Sequence, residues 1–328
     1  MNGTLLEVSD LKVTFATPRG AVHAVDGVSF SVGRGEVLGI VGESGSGKSV
    51  TLRAIPRLLH ANATVTGGAM WRGQDLFAMD AETLRRVRGG KIAAIFQEPM
   101  SALNPVLPIG QQIDEVLVAH TTLDRAARRR RAAELLGLVG IASAATRLDQ
   151  YPHEFSGGMR QRAMIAIALS ANPELLLADE PTTALDVTIQ DQILKLMLRL
   201  VAELGMSMVL VTHDLGVIAE TCDRVAVMYA GRLCETGGVA EVFERPLHAY
   251  TRALLQSMPG EGAARAQLIP IPGQPPRIDK PVQGCAFAPR CTLVEARCAT
   301  ERPLLRELAP AHATACHAGE RLLAEAAA

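Results

Sequence analysis

The sequence predicts an α/β body with a helical insert, followed by a small irregular Cys-rich tail. Short apolar runs at residues 175–178, 208–211 and 225–228, with a helical pattern at 189–203 between the first two, have βαβ spacing. Between about residues 97 and 170 the pattern turns helical, with an Arg/Ala-rich stretch at 123–136 followed by the apolar run 163–169 before the turn-forming Asn172-Pro173. After Met258 the composition changes. Pro259, Pro270, Pro272, Pro275, Pro276 and Pro281 exclude regular helix or central strand, and four of the six cysteines follow.

Taken in chain order, residues 11–15 and 25–32 read as strands, and the compact apolar run 37–41 reads as a buried strand ending in glycine. A helix over residues 49–55 is stopped by Pro56. The body is thus expected over residues 1–258, with a helical subdomain at about 97–170, and a Pro-rich linker and Cys-rich unit over 259–328. With so few large apolar residues, that tail is expected to need a cross-link to offset its chain entropy.

At 328 residues the chain is long enough for one large core. Its 33 Lys and Arg nearly balance 34 Asp and Glu, so no global field recruits nucleic acid or an anionic membrane. No apolar run approaches the roughly 20 residues of a membrane span, and no export signal opens the chain, so the cytosol is expected. There the cysteines are expected to be metal ligands or buried thiols rather than disulfides. The Arg128 to Arg131 run, with alanines and Glu134 around it, reads as a solvated helix face.

Four segments carry chemistry. Gly42-Glu43-Ser44-Gly45-Ser46-Gly47-Lys48-Ser49 follows a buried strand and opens a helix, the context a phosphate loop requires. Its glycines let backbone N–H groups curl around phosphate oxygens, Lys48 reaches the β- and γ-phosphates, and the Ser49 hydroxyl takes a place on Mg²⁺. Asp179 and Glu180 end a buried strand, the edge at which open α/β sheets bind ligands. Asp179 suits Mg²⁺, and Glu180 suits the attacking water. His213 ends another strand and can meet the γ-phosphate or that water, while Gln97 offers a neutral hydrogen-bonding group to the same phosphate and metal.

In order, the phosphate loop, Gln97, Phe155-Ser156-Gly157-Gly158-Met159, Asp179-Glu180, Ala184-Leu185-Asp186 and His213 resemble the ABC (ATP-binding cassette) ATPases over about the first 250 residues. The resemblance implies that Phe15 stacks on adenine and that Gly42, Ser44, Gly45, Gly47, Lys48, Ser49 and Val50 hold the phosphates. Ser49, Gln97 and Asp179 would serve Mg²⁺, and Glu180, His213, Gln97 and Lys48 would carry hydrolysis. Ser156, Gly157 and Gly158 form the signature loop and Asp186 the D-loop aspartate, both facing ATP on a partner subunit. The signature loop departs from the commonest form at Phe155 and Met159, but keeps the three positions whose hydroxyl and N–H groups meet phosphate.

Gln97 to Pro105 and the segment Gly284-Cys285-Ala286-Phe287-Ala288-Pro289-Arg290-Cys291 are similar to the ATPase subunits of dipeptide, oligopeptide and nickel importers. That similarity implies a peripheral protein on the cytoplasmic face of the inner membrane. Its implied partners are a second, non-identical ATPase, two permease subunits and an extracytoplasmic binding protein, with no nucleic acid. Peptide import is the expected activity, nickel or another small solute the alternative, and a soluble ABC ATPase acting on ribosomes or DNA the competing class. Cys285, Cys291, Cys298 and Cys316, separated by five, six and seventeen residues, supply four thiolates, enough for a tetrahedral Zn²⁺ or a four-iron cluster, or they are packed thiols. Proteins similar to this one carry an iron–sulfur cluster at this place, with His317 as a further donor at most. Cys222 and Cys234 read as small core residues. Because no cysteine falls in a nucleotide motif, disturbing the tail is expected to leave the phosphate loop intact.

Overall fold

The computed structural model describes residues 3–97, 102–183, 186–257, 270–276 and 282–327. The expected boundary at Met258, Pro259 and Pro281, the Glu98 to Ser101 part of the motif after Gln97, and Ala184-Leu185 lie outside the described residues. The chain divides into two compact units, one of residues 1–4, 32–36 and 78–210, the other of residues 5–31, 37–77 and 211–328.

In the second unit, β1 (Thr4–Thr17), β2 (Gly20–Gly33), β4 (Ala63–Trp71) and β5 (Gln74–Asp75) form a sheet in the order β2-β1-β4-β5. Leu6, Val8, Leu11 and Val13 of β1 are buried, and Leu6 stands opposite Trp71 across the antiparallel pair with β4. The alternation breaks at Asp10, which has φ +45°, where the register shifts between Ser9 and Lys12. Gly67 lies against that bulge, and any side chain there would collide with the Asp10 carbonyl. The sequence reading found the cores of β1 and β2 but not β4, whose alternation is broken by Gly67-Gly68 before Met70 and Trp71.

In the same unit β3 (Val37–Val41), buried throughout, runs parallel to β9 (Arg224–Tyr229), with Leu38 opposite Arg224 and Val41 opposite Val227. A tight turn through Ala230 and Gly231, both at positive φ, sends the chain back as β10 (Arg232–Gly238). The helix Leu215–Thr221 packs so closely on β3 that a Cβ at Gly39 would meet Ile218 Cδ1 at 2.5 Å and Cys222 Sγ at 3.0 Å. In the first unit, β6 (Ile92–Ile95) pairs in parallel with β7 (Leu175–Asp179), and β8 (Ser207–Val211) lies on the other side of β7. The expected helical insert contains Ile109–His120, Arg125–Leu138, Ala144–Arg147 and Gly157–Leu169. Arg128 and Arg129 pair with Asp114 and Asp149 at 2.6 and 2.7 Å and Arg131 with Glu134 at 3.4 Å, which accounts for three of the four arginines as local ion pairs. No helix among the described residues is long and apolar enough to cross a membrane.

The tail is woven into the body. β12 (His312–Thr314) pairs with β10, placing Thr314 opposite Glu235, and β11 (Arg306–Ala309) adds to β12. Phe287, 2 % exposed, packs edge-on against Tyr229 at 5.4 Å and tilted against Tyr250 at 5.3 Å, and Cys298, Cys316, Ala318 and Leu322 are buried. Glu235 is fully buried, and its carboxylate accepts from Leu247 N at 2.6 Å and His248 N at 3.0 Å and lies 2.7 Å from His312 Nε2. Contrary to the expectation that a cross-link must hold it, the tail is held by ladder bonds, aromatic packing and a satisfied buried carboxylate.

His248 sits within this junction. It is 2 % exposed, and its Nδ1 accepts from Tyr250 N at 2.9 Å, capping the helix Ala249–Gln256. Burial lowers its pKa to about 4 from 6.5. As pH falls below the ordinary value the unfolded chain takes up this proton and the folded chain refuses it, so stability is lost between about pH 6.5 and 4. At about 1.4 kcal/mol per unit of separation, His248 should account for about 2 kcal/mol of the stability lost between pH 7.5 and 5. Urea unfolding at those two pH values should show a pH slope smaller by that amount in His248→Asn, whose amide oxygen can keep the cap.

Candidate functional site

The phosphate loop leaves β3 at Gly42 and enters the helix Lys48–Ala54. Gly42, Gly45 and Gly47 have φ of +152°, +77° and +100°, values that L side chains rarely adopt, which is why the loop needs glycine at these places. A side chain at Gly42 would also strike the Met228 carbonyl, and one at Gly47 the Ala24 carbonyl. Lys48 is 4 % exposed and its ammonium folds back over the loop, donating to the carbonyls of Gly42 at 2.7 Å and Glu43 at 3.0 Å. Ser46 is 3 % exposed, and its hydroxyl has no hydrogen-bond partner among the described residues. A buried, unsatisfied hydroxyl beside a lysine and a curled backbone fits the polar oxygens of a phosphate chain. Ser49 and Val50 are half-buried, Ser44 is exposed, and Phe15 is half-buried on β1 opposite Ala63. His213, exposed, follows β8 just before Asp214, whose side chain caps the helix Leu215–Thr221.

The first unit carries the acid pair. Asp179, 1 % exposed, is the last residue of β7, and Glu180 follows at φ +45°. A non-glycine residue held in this region costs about 1–3 kcal/mol and persists only where its neighbours hold it. Those neighbours are present: Glu180 Oε2 accepts from Thr183 Oγ1 at 2.8 Å and from Gln97 Nε2 at 3.3 Å. The structure thus brings Gln97 and Glu180 together, 83 residues apart in sequence. Two glutamines that the sequence reading passed over brace the loop after Glu180: Gln161 donates to the Pro181 carbonyl and Gln190 to that of Thr182 at 3.1 Å. Each projects from a helix that reads as ordinary, so no sequence signal marks them.

Ser156 caps the helix Gly157–Leu169 and accepts from Met159 N at 3.4 Å, so Ser156 and Gly157 stand exposed at its N-terminal end. Phe155 is 2 % exposed, so an apolar side chain is what its position requires. A Cβ at Gly158 would meet Ile189 Cγ2 at 3.2 Å. Asp186 is exposed at the start of the helix Val187–Leu204.

The four tail cysteines carry free thiols, as do Cys222 and Cys234. Burial pushes Cys285 and Cys316 up and Cys291 to about 11, and each of these three lies near enough to others of the four for thiolates to repel. Among the described residues, no group of three or more His, Cys, Asp or Glu is placed to hold a metal ion, so the tetrahedral zinc site is not formed and no iron–sulfur site stands ready in this arrangement. His317 instead turns its ring toward the Glu301 carbonyl at 3.0 Å. Cys234 is buried, as expected, and Cys222 is raised by burial to about 12.

The expected independence of tail and phosphate loop is not what the side chains make. Arg290, between Cys285 and Cys291, forms a two-pronged ion pair with Glu43 of the loop, and Tyr250 Oη accepts from Glu43 N at 2.9 Å.

Residues 25–183 match the family model described as ABC transporter, and residues 234–298 the one described as oligopeptide/dipeptide transporter, C-terminal region. The chain is 50 % identical over 315 residues to a probable peptide ABC transporter ATP-binding protein of Sinorhizobium fredii, covering 95 % of this chain and 94 % of the relative. It is 52 % identical over 289 residues to an oligopeptide transport ATP-binding protein of Bacillus subtilis, covering 87 % and 81 %, and 46 % identical over 312 residues to that of Escherichia coli, covering 95 % and 92 %. A solved dimeric ATP-binding cassette in a post-hydrolysis state with ADP and phosphate superimposes with a TM-score of 0.64 at 29 % identity, over 71 % of this chain and 98 % of that one.

The loop geometry separates two substitutions that look alike in sequence. Gly45→Ala meets nothing within 4 Å and carries only the backbone penalty, about 1–2 kcal/mol. Gly42→Ala adds a steric clash with a fixed carbonyl, about 1–3 kcal/mol more. Urea midpoints of the two variants should fall in that order.

Proposed function

The chain belongs to the ABC transporter ATPases, and on that premise we propose that it is the ATP-hydrolysing subunit of an importer of di- or oligopeptides. The observation that carries the reading is the phosphate loop, with Lys48 folded over carbonyls and the buried Ser46 hydroxyl without a hydrogen-bond partner among the described residues, in a chain similar over nearly its whole length to peptide-import ATP-binding subunits. In this reading the loop residues Gly42, Ser44, Gly45, Gly47, Lys48, Ser49 and Val50 bind the phosphates and Phe15 the base. Ser49, Asp179 and Gln97 hold Mg²⁺, which supplies charge neutralisation on the phosphates when bound. Glu180 orients and deprotonates the attacking water, and its two bonds to Thr183 and Gln97 keep the carboxylate pointed in one direction. His213 supports the γ-phosphate.

Ser156, Gly157, Gly158 and Asp186 would act on ATP held by a second, non-identical ATPase, which their exposure or partial exposure in the isolated chain supports. Two permeases and an extracytoplasmic binding protein complete the proposed complex on the cytoplasmic face of the inner membrane. Glu180→Gln should retain MgATP binding and lose turnover by a factor on the order of 10³ in the assembled complex. Uptake of labelled di- and oligopeptides by cells expressing the complex should stop with it. Near-normal ATPase in this variant removes Glu180 from the mechanism, and uptake of nickel without peptide moves the substrate to the sister group.

For the four cysteines the reading is a [4Fe–4S] cluster, with one observation in its favour. Main-chain N–H groups point at the sulfurs, Leu293 N at Cys291 at 3.3 Å and Glu295 N at Cys298 at 3.4 Å, with others at Cys285 and Cys316. Such bonds stabilise sulfur that carries charge. Anaerobically purified protein should contain about four iron and four sulfide per chain, and Cys298→Ser should lose both. Protein with neither iron nor zinc makes these cysteines packed thiols.

A further inference from the structure

Glu43 is the second residue of the phosphate loop, and its carboxylate is held by Arg290 of the tail, its N–H by Tyr250 and its carbonyl by Lys48 and Ser46 N. Arg290 Nη1 donates to Glu43 Oε2 at 2.8 Å and Nη2 to Oε1 at 3.0 Å, the parallel fork that sets orientation as well as distance. Tyr250 Oη receives the Glu43 N–H at 2.9 Å, and the Glu43 carbonyl receives the Lys48 ammonium at 3.0 Å. One residue thus joins the Arg290 fork to the lysine that serves phosphate.

Arg290 is itself immobilised. Its side chain is 5 % exposed, its Nε donates to the Pro272 carbonyl at 2.8 Å, Nη1 also reaches Tyr229 Oη at 3.1 Å, and Nη2 the Ile271 carbonyl at 3.4 Å. The guanidinium carbon lies 5.8 Å from the Tyr229 ring centre and 6.0 Å from that of Phe287. The Glu43 carboxylate keeps its pKa above the ordinary arginine value. A buried fork of this kind is costly to assemble unless it imposes a geometry, and a glycine-rich loop has little stiffness of its own to impose one.

We infer that Arg290 is a positioning residue for nucleotide binding: through Glu43 it holds the phosphate loop and Lys48 in the conformation that receives the phosphates. The inference rests on the phosphate-loop reading above and extends it into the tail. Since Arg290 lies in the turn between Cys285 and Cys291, whatever orders those cysteines also sets the loop.

The test is a double-mutant cycle in the full-length chain within its complex, using Arg290→Lys, which keeps the charge but not the fork, and Glu43→Gln, which keeps the shape but not the charge. The expected result is that each single variant raises the KM for MgATP about tenfold with kcat within about twofold, and that the double variant is no worse than either single. Thermal unfolding of the three should leave them folded at the assay temperature. If Arg290→Lys does not fold, Glu43→Gln, which keeps the size and shape of the Glu43 side chain, carries the test. Wild-type KM in the folded single variants overturns the inference, as does a strictly additive loss in the double. The phosphate-loop reading fails separately, by wild type that binds no MgATP or by Lys48→Ala that binds it normally.

Discussion

Main-chain donors can converge on a phosphate only if the loop that carries them is held still, and in this chain the holding comes from the residues around the loop. Gly42 follows β3 and lies against the Met228 carbonyl, so β9 closes one side. The Gly231 N–H donates to the Ser46 carbonyl at 2.9 Å, so the β9–β10 turn closes another. Arg290 and Tyr250 close a third through Glu43. Glycine provides the conformations the loop needs and gives away the stiffness, and these contacts restore it.

The same logic explains why the tail is built into the sheet. A segment so rich in proline cannot supply its own core, and a metal would be one remedy. Here the remedy visible in the side chains is Glu235: a carboxylate with no exposed surface, whose charge is met by two main-chain N–H groups and lies against His312. Such a group is tolerable only with all its partners in place, so the partners form one cooperative unit. Leu247 and His248 come from the body and His312 from β12, so the body and the tail's last strands order together.

Much of this was legible in the sequence, for identifiable reasons. The phosphate loop could be read because glycine, lysine and serine are needed at fixed offsets between a five-residue apolar strand and a helix, and β3 and the helix Lys48–Ala54 bracket it as expected. Asp179 and Glu180 could be read because β7 is apolar throughout until its last residue. The strand Ala63–Trp71 could not, because Thr64, Thr66, Gly67 and Gly68 break its alternation and its two buried residues, Ala69 and Trp71, fall only at its end. The Arg290–Glu43 pair spans 247 residues, and neither partner differs locally from any surface charge. Long-range ion pairs leave no periodicity, so only coordinates reveal them. The tail was misjudged for a related reason: pairing of β12 with β10 is decided by a partner strand far away in sequence, not by the three residues His312–Thr314.

Glu180 shows how local strain and reach combine at one position. A left-handed backbone at the residue after a buried strand turns the chain sharply, and the side chain is then aimed by Thr183 three residues on and by Gln97 after β6. β6 and β7 are neighbours in register, Ile95 opposite Ala178, so Gln97 and Glu180 lie two residues beyond the paired positions on adjacent strands. Their approach is therefore a consequence of parallel register rather than of loop flexibility. A change that shifts β6 by one residue would move Gln97 out of reach of Glu180 while leaving both side chains intact, so the geometry of the acid is set by strand pairing as much as by its own identity. A residue whose conformation is costly and whose aim depends on two separate elements reports on both of them, so the Glu180 carboxylate is held where the packing of β6 and β7 puts it.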